Sequence, residues 1–306
     1  MYGKTNIKRL EFFFTQASFP KIRGLTIMVD ESEQFFECEE YIETALSLSL
    51  TGKNEEALKV IDKAIKIKPD FAQAYNKKGD FLFKLGRIKE ALDCYLKSKE
   101  LNSNIQNNYY DLGRSYLMLG DYPNALENFK IANRMKPQTD IHAFIGKIYF
   151  EQGSYKDALL SFENVLREDD HHTMSSYYYA IILTQEGSLD RARGYFNKVI
   201  EKYARLVRSK PNFAEGYYYL GKCYFYLGDY EKAEENMMLA IKNDTDAITN
   251  HYSFEMFYSD AEAFAALAEI QSKLSKNAEA KENILKALSL EPNNKKILEL
   301  KTKLGF

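Results

Sequence analysis

An alanine follows a loop glycine by five residues at regular intervals along this chain of 306 residues. Six of the seven loop positions are glycine, and Ser275 occupies the seventh. The paired positions are Gly52 and Ala57, Gly86 and Ala91, Gly120 and Ala125, Gly153 and Ala158, Gly187 and Ala192, Gly228 and Ala233, and Ser275 and Ala280. Successive alanines are 34, 34, 33, 34, 41 and 47 residues apart. A period near 34 residues is typical of stacked repeat proteins.

The repeats share three further features when each is counted from fourteen residues before its loop position. Position 4 is usually a large ring, position 8 is always glycine or alanine, and position 24 is always a large apolar residue. The predicted units are 38–71, 72–105, 106–138, 139–172, 173–213, 214–247 and 261–294. Position 8 is Ala45, Gly79, Gly113, Gly146, Ala180, Gly221 and Ala268, and position 24 is Ile61, Tyr95, Phe129, Phe162, Phe196, Met237 and Ile284.

This alternation of small and large residues predicts a pair of packed helices in each unit. Positions 4, 7, 8 and 11 share one face of a first helix, and positions 20, 24 and 27 share one face of a second. The small residues let the two backbones approach, and the large ones fill the surrounding space. The loop glycine is expected to end the first helix in a left-handed conformation. Prolines then close four units, at Pro69, Pro137, Pro211 and Pro292.

Two segments carry a recognisable motif: Tyr-Asp-Leu-Gly-Arg-Ser-Tyr-Leu-Met-Leu-Gly-Asp-Tyr-Pro-Asn-Ala at 110–125 and Tyr-Leu-Gly-Lys-Cys-Tyr-Phe-Tyr-Leu-Gly-Asp-Tyr-Glu-Lys-Ala at 219–233. They resemble the tetratricopeptide repeat family, and the resemblance extends over 38–294. It implies an all-α, right-handed superhelical solenoid of about seven helix-turn-helix repeats. Repeat 7 departs most, because Ser275 and Asn277 replace the usual glycine and ring. Residues 295–306 are expected to form a C-terminal capping helix, as an open solenoid end requires.

Two irregularities interrupt the period. Repeat 5 carries seven extra residues before Pro211, almost two helical turns, so its second helix can lengthen in phase. Tyr203 would then continue the apolar stripe, and cations would line the outer side at Arg191, Lys198, Lys202, Arg205 and Arg208. The second irregularity is an aromatic insert at 248–260, with His251, Tyr252, Phe254, Phe257 and Tyr258. We expect this insert to fold back on the repeats or to bind a partner.

The family resemblance implies that positions 2, 5, 9 and 12 of each first helix face a concave groove, and their spacing places them on one stripe. In repeats 2 to 6 this stripe is rich in rings and cations. The candidate partner-binding residues are Asn76, Asp80, Phe83, Tyr110, Arg114, Lys147, Phe150, Tyr177, Tyr218, Lys222 and Phe225. Rings beside cations are typical of binding hot spots, which indicates a partner segment with apolar and acidic residues. Alternatively, a tyrosine-rich chain scatters rings on both faces. No position 5 is lysine and no position 9 is asparagine, so the family's carboxylate clamp is absent.

Composition limits the other classes of function. The net charge is −2, which gives no overall field that attracts nucleic acid. Cys38, Cys94 and Cys223 show no paired spacing, which favours free thiols in a reducing compartment. The sequence has no apolar run of about 18 residues, the length that a membrane span needs. A cytoplasmic protein without a membrane span is the expectation.

Catalytic motifs are likewise missing from the sequence. It contains no glycine-rich phosphate loop, no G-x-S-x-G and no H-E-x-x-H. His171 and His172 follow two aspartates and could bind a metal, but a polar turn between repeats explains them as well. His142 occupies a core-facing position and is expected to be packed or capped. We therefore expect no enzymatic activity, no cofactor and no metal.

Residues 1–37 form an N-terminal segment whose role the sequence leaves open. It contains apolar residues, and Pro20 and Gly24 are expected to interrupt it. It could pack as a cap on the first repeat, lie in the groove as an internal mimic of a ligand, or precede the native start if that start is Met28.

Taken together, these patterns predict a non-enzymatic scaffold that binds another protein or a peptide in its groove. One alternative is a regulator that senses a peptide or partner and whose superhelix changes pitch on binding. Another is an accessory subunit of a secretion, envelope or motility assembly. Self-association is compatible with all three functions, and the sequence does not identify the partner.

Overall fold

The computed structural model describes residues 23–243 and 258–306, and within these residues the fold is entirely helical. Fifteen helices follow one another through the described ranges. They are α1 (Arg23–Leu50), α2 (Asn54–Ile67), α3 (Ala72–Lys84), α4 (Ile88–Leu101), α5 (Gln106–Met118), α6 (Tyr122–Met135), α7 (Thr139–Glu151), α8 (Tyr155–Glu168), α9 (Thr173–Gln185), α10 (Leu189–Ser209), α11 (Ala214–Leu227), α12 (Tyr230–Asn243), α13 (Asp260–Lys273), α14 (Asn277–Leu290) and α15 (Lys295–Lys303).

The helices from α1 to α14 form seven consecutive pairs, called here pairs 1 to 7. Within each pair the two helices pack against each other, and each pair packs on the next. Helix α15 covers the open end by contacting both α13 and α14. This arrangement is the predicted all-α superhelical solenoid.

Close contact between the two helices of a pair depends on the small residue at position 8. A Cβ atom added to Gly79 would lie 2.5 Å from Cε1 of Tyr95. The same atom on Gly113 would lie 2.8 Å from the Phe129 ring. The large residues at position 24 are fully buried throughout, as the sequence pattern predicted: Ile61, Tyr95, Phe129, Phe162, Phe196, Met237 and Ile284. In each pair, therefore, the small residue at position 8 of the first helix packs against the large residue at position 24 of the second.

The loop glycines end the first helix of each pair in the predicted conformation. Gly86 has a φ of 70°, its N–H donates to the carbonyl of Phe83, and the next N–H, of Arg87, donates to Leu82. These bonds form the motif that satisfies carbonyls at helix C-termini. Ser275 adopts the same conformation with a φ of 61°, although it lacks the freedom of glycine. Pair 7 therefore keeps the turn and accepts local strain.

Helix α1 differs from expectation because it begins at Arg23 and runs for 28 residues. The expected boundary between residues 37 and 38 lies inside it, and Gly24 lies in its first turn. A glycine costs at most about 1 kcal/mol relative to alanine in a helix, so Gly24 does not prevent the helix from forming. The interpretations of residues 1–22, and those of the insert up to residue 257, lie outside the described residues.

Helix α10 has the predicted extra length, with 21 residues. Tyr203 is buried and continues the apolar stripe. On the outer side of this helix Lys198 contacts the Asp170 carboxylate at 2.9 Å, and Lys202 donates to the Thr173 hydroxyl.

The position of His142 differs from the prediction that it faces the core. Its side chain is exposed, because α7 buries Ile141 and Phe144 instead.

Candidate partner-binding groove

The first candidate site is a cavity of about 290 Å³ between α1, α3 and α5, called here the first groove cavity. Four predicted residues meet in its lining: Asp80, Phe83, Tyr110 and Arg114. The Arg114 guanidinium lies over the Phe83 ring, 4.4 Å from its centroid, and 5.7 Å from that of Tyr110. A cation held between two rings is a recurrent arrangement at binding surfaces. Both Phe83 and Arg114 are buried, so they shape the floor rather than project from it.

A buried polar network supports this floor. The Asn76 amide donates to Asn108 Oδ1 at 3.0 Å and to Asp111 Oδ2 at 3.2 Å. The Ser98 hydroxyl bonds Asn108 Oδ1 at 2.9 Å. Burial, with the nearby charge of Asp80, raises the pKa of Asp111 to about 7, although Arg114 opposes the change. The predicted groove residue Asn76 is thus an internal joint between pairs 2 and 3.

The rim of the same cavity carries two lysines with different partners. Lys77 forms an ion pair with Asp80 at 2.7 Å, and the Tyr95 hydroxyl donates to the other oxygen of Asp80 at 3.1 Å. Lys84 donates to the Ser49 hydroxyl at 2.8 Å, and among the described residues it forms no ion pair with a carboxylate. Burial lowers the pKa of Lys84. Its ammonium is therefore available to an incoming acid.

The rings predicted for the C-terminal part of the groove lie among other rings. Tyr177 lies 5.3 Å from Tyr219 and is buried, and Phe150 lies 4.9 Å from Tyr178. Phe225 lies 5.6 Å from its neighbour Tyr226. Phe83, Tyr177 and Tyr218 are buried, which differs from the expectation that their stripe faces an open groove. Position 5 or 12 becomes internal where consecutive first helices pack side by side.

Two predicted cations remain without a carboxylate partner in the part of the chain that the structure describes. Lys147 lies 5.7 Å from the Tyr178 ring centroid, and Lys222 lies 5.9 Å from that of Phe225. Burial lowers the pKa of Lys147. The two lysines line separate cavities, of about 320 Å³ for Lys147 and about 160 Å³ for Lys222.

The larger of these cavities, called here the closing cavity, exists because the C-terminal helix reaches back across the superhelix. Lys296 of α15 contacts the Glu151 carboxylate of α7 at 2.5 Å, over a separation of 145 residues. At the same place Tyr258, the first described residue after the insert, stacks on the predicted groove residue Tyr218 at 4.1 Å. Part of the predicted groove is therefore covered by the chain itself.

The sequence prediction missed Lys84, Glu151, Tyr258 and Lys296 as groove residues. Lys84 lies next to the stripe rather than on it, and Glu151 follows Phe150 directly. Only Tyr258 had a signal, because the aromatic content of the insert indicated that it folds back or binds a partner.

Other chemistry is sparse in the described ranges. No cluster of three potential metal-ligating side chains occurs there, and no helix there is long and apolar enough to cross a membrane. His172 instead caps α9 by accepting the Ser175 N–H at 3.2 Å. The three cysteines are free thiols, and burial raises the pKa of Cys94 to about 11, which favours the protonated thiol over the nucleophilic thiolate.

Proteins that are similar to this chain in sequence include the following two. TPR repeat-containing protein MJ1428 of Methanocaldococcus jannaschii is 24% identical over 245 residues, 65% of this chain and 41% of that protein. Protein O-mannosyl-transferase TMTC3 of Homo sapiens is 32% identical over 144 residues, 47% of this chain and 14% of that protein. The chain spans less than half the length of these relatives.

Two solved structures share the fold. The APC/C hetero-tetramer Cut9–Hcn1 matches 85% of this chain and 48% of that chain, with a TM-score of 0.62 and 17% identity. A tetratricopeptide repeat protein from Parabacteroides merdae matches 88% of this chain and 99% of that chain, with a TM-score of 0.54 and 18% identity.

Family models for the tetratricopeptide repeat cover most of the chain. They match residues 50–86, 70–135, 110–163, 145–204, 214–247 and 261–294. Repeats of this kind, in a superhelical solenoid, support a protein-interaction scaffold in general terms. The matches and the seven stacked helix pairs agree, and the chain belongs to the tetratricopeptide repeat family.

Proposed function

We propose that this protein is a non-enzymatic scaffold that holds a partner segment in the first groove cavity. The segment would carry an acidic residue beside apolar ones. The observation that carries the proposal is the position of the Lys84 ammonium at the rim of a cavity floored by Phe83 and Arg114.

The charge distribution around the cavity favours an acidic residue in the partner. Lys77 forms an ion pair with Asp80, whereas Lys84 interacts with the Asp80 charge only at longer range and, among the described residues, donates to the neutral Ser49 hydroxyl. A carboxylate from the partner would form a charge-assisted hydrogen bond with Lys84, which is about twice as strong as a neutral one.

The shape of the cavity favours an apolar residue beside that acid. The rings of Phe83 and Tyr110 and the exposed side chain of Leu46 contribute apolar surface to the lining. Aromatic residues and arginine that line a partly desolvated pocket are the residues that contribute most to binding energy at interfaces. The C-terminal part of the predicted groove contributes less to this proposal, because the rings of Tyr177 and Tyr218 are already packed.

Selection from a phage-displayed library of random dodecapeptides tests the proposal. We expect the wild-type protein to enrich peptides with Asp or Glu next to a large apolar residue. In Lys84→Met the acidic preference should disappear, and the selected peptide should bind about tenfold more weakly, the effect of losing one charged hydrogen bond.

Lys130→Met is the matched control, because Lys130 is exposed on α6. It should select the same peptides with unchanged affinity. Failure to enrich any peptide, or retention of the acidic preference in Lys84→Met, would overturn the proposal.

A further inference from the structure

The closing cavity is lined by charged residues that take no part in the proposed partner binding at the first groove cavity. Its volume of about 320 Å³ is at the small end of the range for small-molecule sites. Leu117 and Met118 of α5, Lys147 of α7, Glu262 of α13 and Lys296 of α15 all line it. Helices from distant parts of the chain therefore converge on a single cleft, which is open to solvent on the side of Glu262 and Lys296.

Some of the charged groups in this space already have partners. Glu151 and Lys296 neutralise each other at 2.5 Å. The Glu291 carboxylate accepts a hydrogen bond from the Asn294 amide at 2.6 Å. Of the charged residues that line the cavity, Lys147 and Glu262 remain, and neither forms an ion pair among the described residues.

Lys147 and Glu262 both open onto the cavity without an ion-pair partner among the described residues. Lys147 lies beside the Tyr178 ring and within electrostatic range of Glu151 and Glu262, but it forms no ion pair with either carboxylate. Glu262 accepts the N–H of Ser259 at 3.0 Å. Partial desolvation lowers the pKa of Lys147 and raises that of Glu262. An ammonium and a carboxylate therefore face the same space without contacting each other.

We propose that the closing cavity binds a free α-amino acid, whose carboxylate pairs with Lys147 and whose ammonium pairs with Glu262. A simple anion fits less well, because the lining has two cations and three carboxylates. A simple cation would leave Lys147 unpaired. A zwitterion satisfies both groups, and Leu117, Met118 and the Tyr258 ring provide surface for its side chain.

This site is independent of the partner segment, because the first groove cavity shares none of its lining residues. Its ligand would contact α7, α13 and α15 together. Binding would therefore strengthen the connection that Glu151 and Lys296 already form.

Isothermal titration calorimetry with each proteinogenic amino acid in turn tests this proposal. We expect saturable binding of at least one, together with a higher melting temperature. The N-acetyl derivative and the amide derivative of that amino acid each lack one charge, and each should bind at least about tenfold more weakly.

Lys147→Met and Glu262→Gln should each weaken binding by a similar factor. Lys130→Met is the matched control, because Lys130 is exposed on α6 and lines neither cavity. The derivative series uses the wild-type protein, so it decides the matter even if a variant does not fold. Absence of saturable binding by every amino acid, or binding of either derivative as tight as that of the parent amino acid, would overturn the proposal.

Discussion

Pairs 2 and 3 meet through buried polar groups, whereas pairs 5 and 6 meet mainly through packed rings, one pair of them edge-to-face and one stacked. At the polar junction Asn76 bonds Asn108 and Asp111. At the aromatic junction Tyr219 lies 5.3 Å from Tyr177 and 5.5 Å from Tyr203. Stacked rings contribute energy that does not depend on a proton near neutral pH, but a buried carboxyl does. A buried carboxylate is present at the second junction too, where Glu215 accepts a hydrogen bond from the Tyr203 hydroxyl at 3.2 Å. The two junctions therefore differ in their shares of polar and aromatic contacts.

Replacing Asp111 with asparagine should remove the pH dependence of stability that the polar junction contributes, and this is the largest effect we expect. The pKa of Asp111 is raised from 3.8 to about 7, so the folded state holds a proton that the unfolded state releases in that interval. Its contribution is fully present below pH 3.8 and is lost as the pH rises through 7. The wild type should lose about 4 kcal/mol between these limits that Asp111→Asn does not lose. Urea denaturation across this pH range measures the difference.

Tyr177→Phe at the aromatic junction is the control and should keep the wild-type dependence of the free energy of unfolding on pH. An unchanged pH dependence in Asp111→Asn would contradict the prediction.

Replacing glycine with alanine should have opposite effects in the two regions. In Gly79→Ala the new Cβ would meet the Tyr95 ring, which is buried and bonded to Asp80 and cannot move aside. Overpacking of this kind should exceed the gain in helix propensity and destabilise the protein by about 1 to 2 kcal/mol. Gly194 of α10 has open space around it, so Gly194→Ala should stabilise by about 1 kcal/mol. Chemical denaturation compares the two, and equal signs would refute the packing explanation.

Exchanging serine and glycine at position 15, the loop position between the two helices of a pair, should have the smallest effect on stability. It compares the turn of pair 7 with that of pair 2. Ser275 has a φ of 61°, and Gly86 has a φ of 70° at the matching turn of pair 2. Ser275→Gly should raise the melting temperature, with a gain of about 1 kcal/mol from relieved backbone strain. Gly86→Ser should lower it by a similar amount. If both variants melt like the wild type, the turn conformation is not a source of strain.

The parts of this fold that depend on local spacing could be predicted from the sequence. The left-handed loop glycines, the buried alanines and the large residues at position 24 all follow from the helical period within one unit. The longer α10 also follows, because seven added residues preserve the phase of the apolar stripe.

The parts that depend on how units curve around one another could not be predicted. Whether Tyr177 faces a groove or a neighbouring helix depends on the angle between successive pairs, which no spacing encodes. The contact between Glu151 and Lys296 requires that angle to accumulate over 145 residues. The covering of Tyr218 by Tyr258 likewise depends on the path of the chain after α12.

The contact between α7 and α15 also bears on the order in which the chain folds. Helices elsewhere in the described residues contact their neighbours in sequence, so folding can begin at any pair and spread along the solenoid. The Glu151–Lys296 contact is the exception, because its two ends meet only after pairs 4 to 7 and α15 have all stacked. Formation of the closing cavity would therefore be a late kinetic event that reports on completion of the entire C-terminal half.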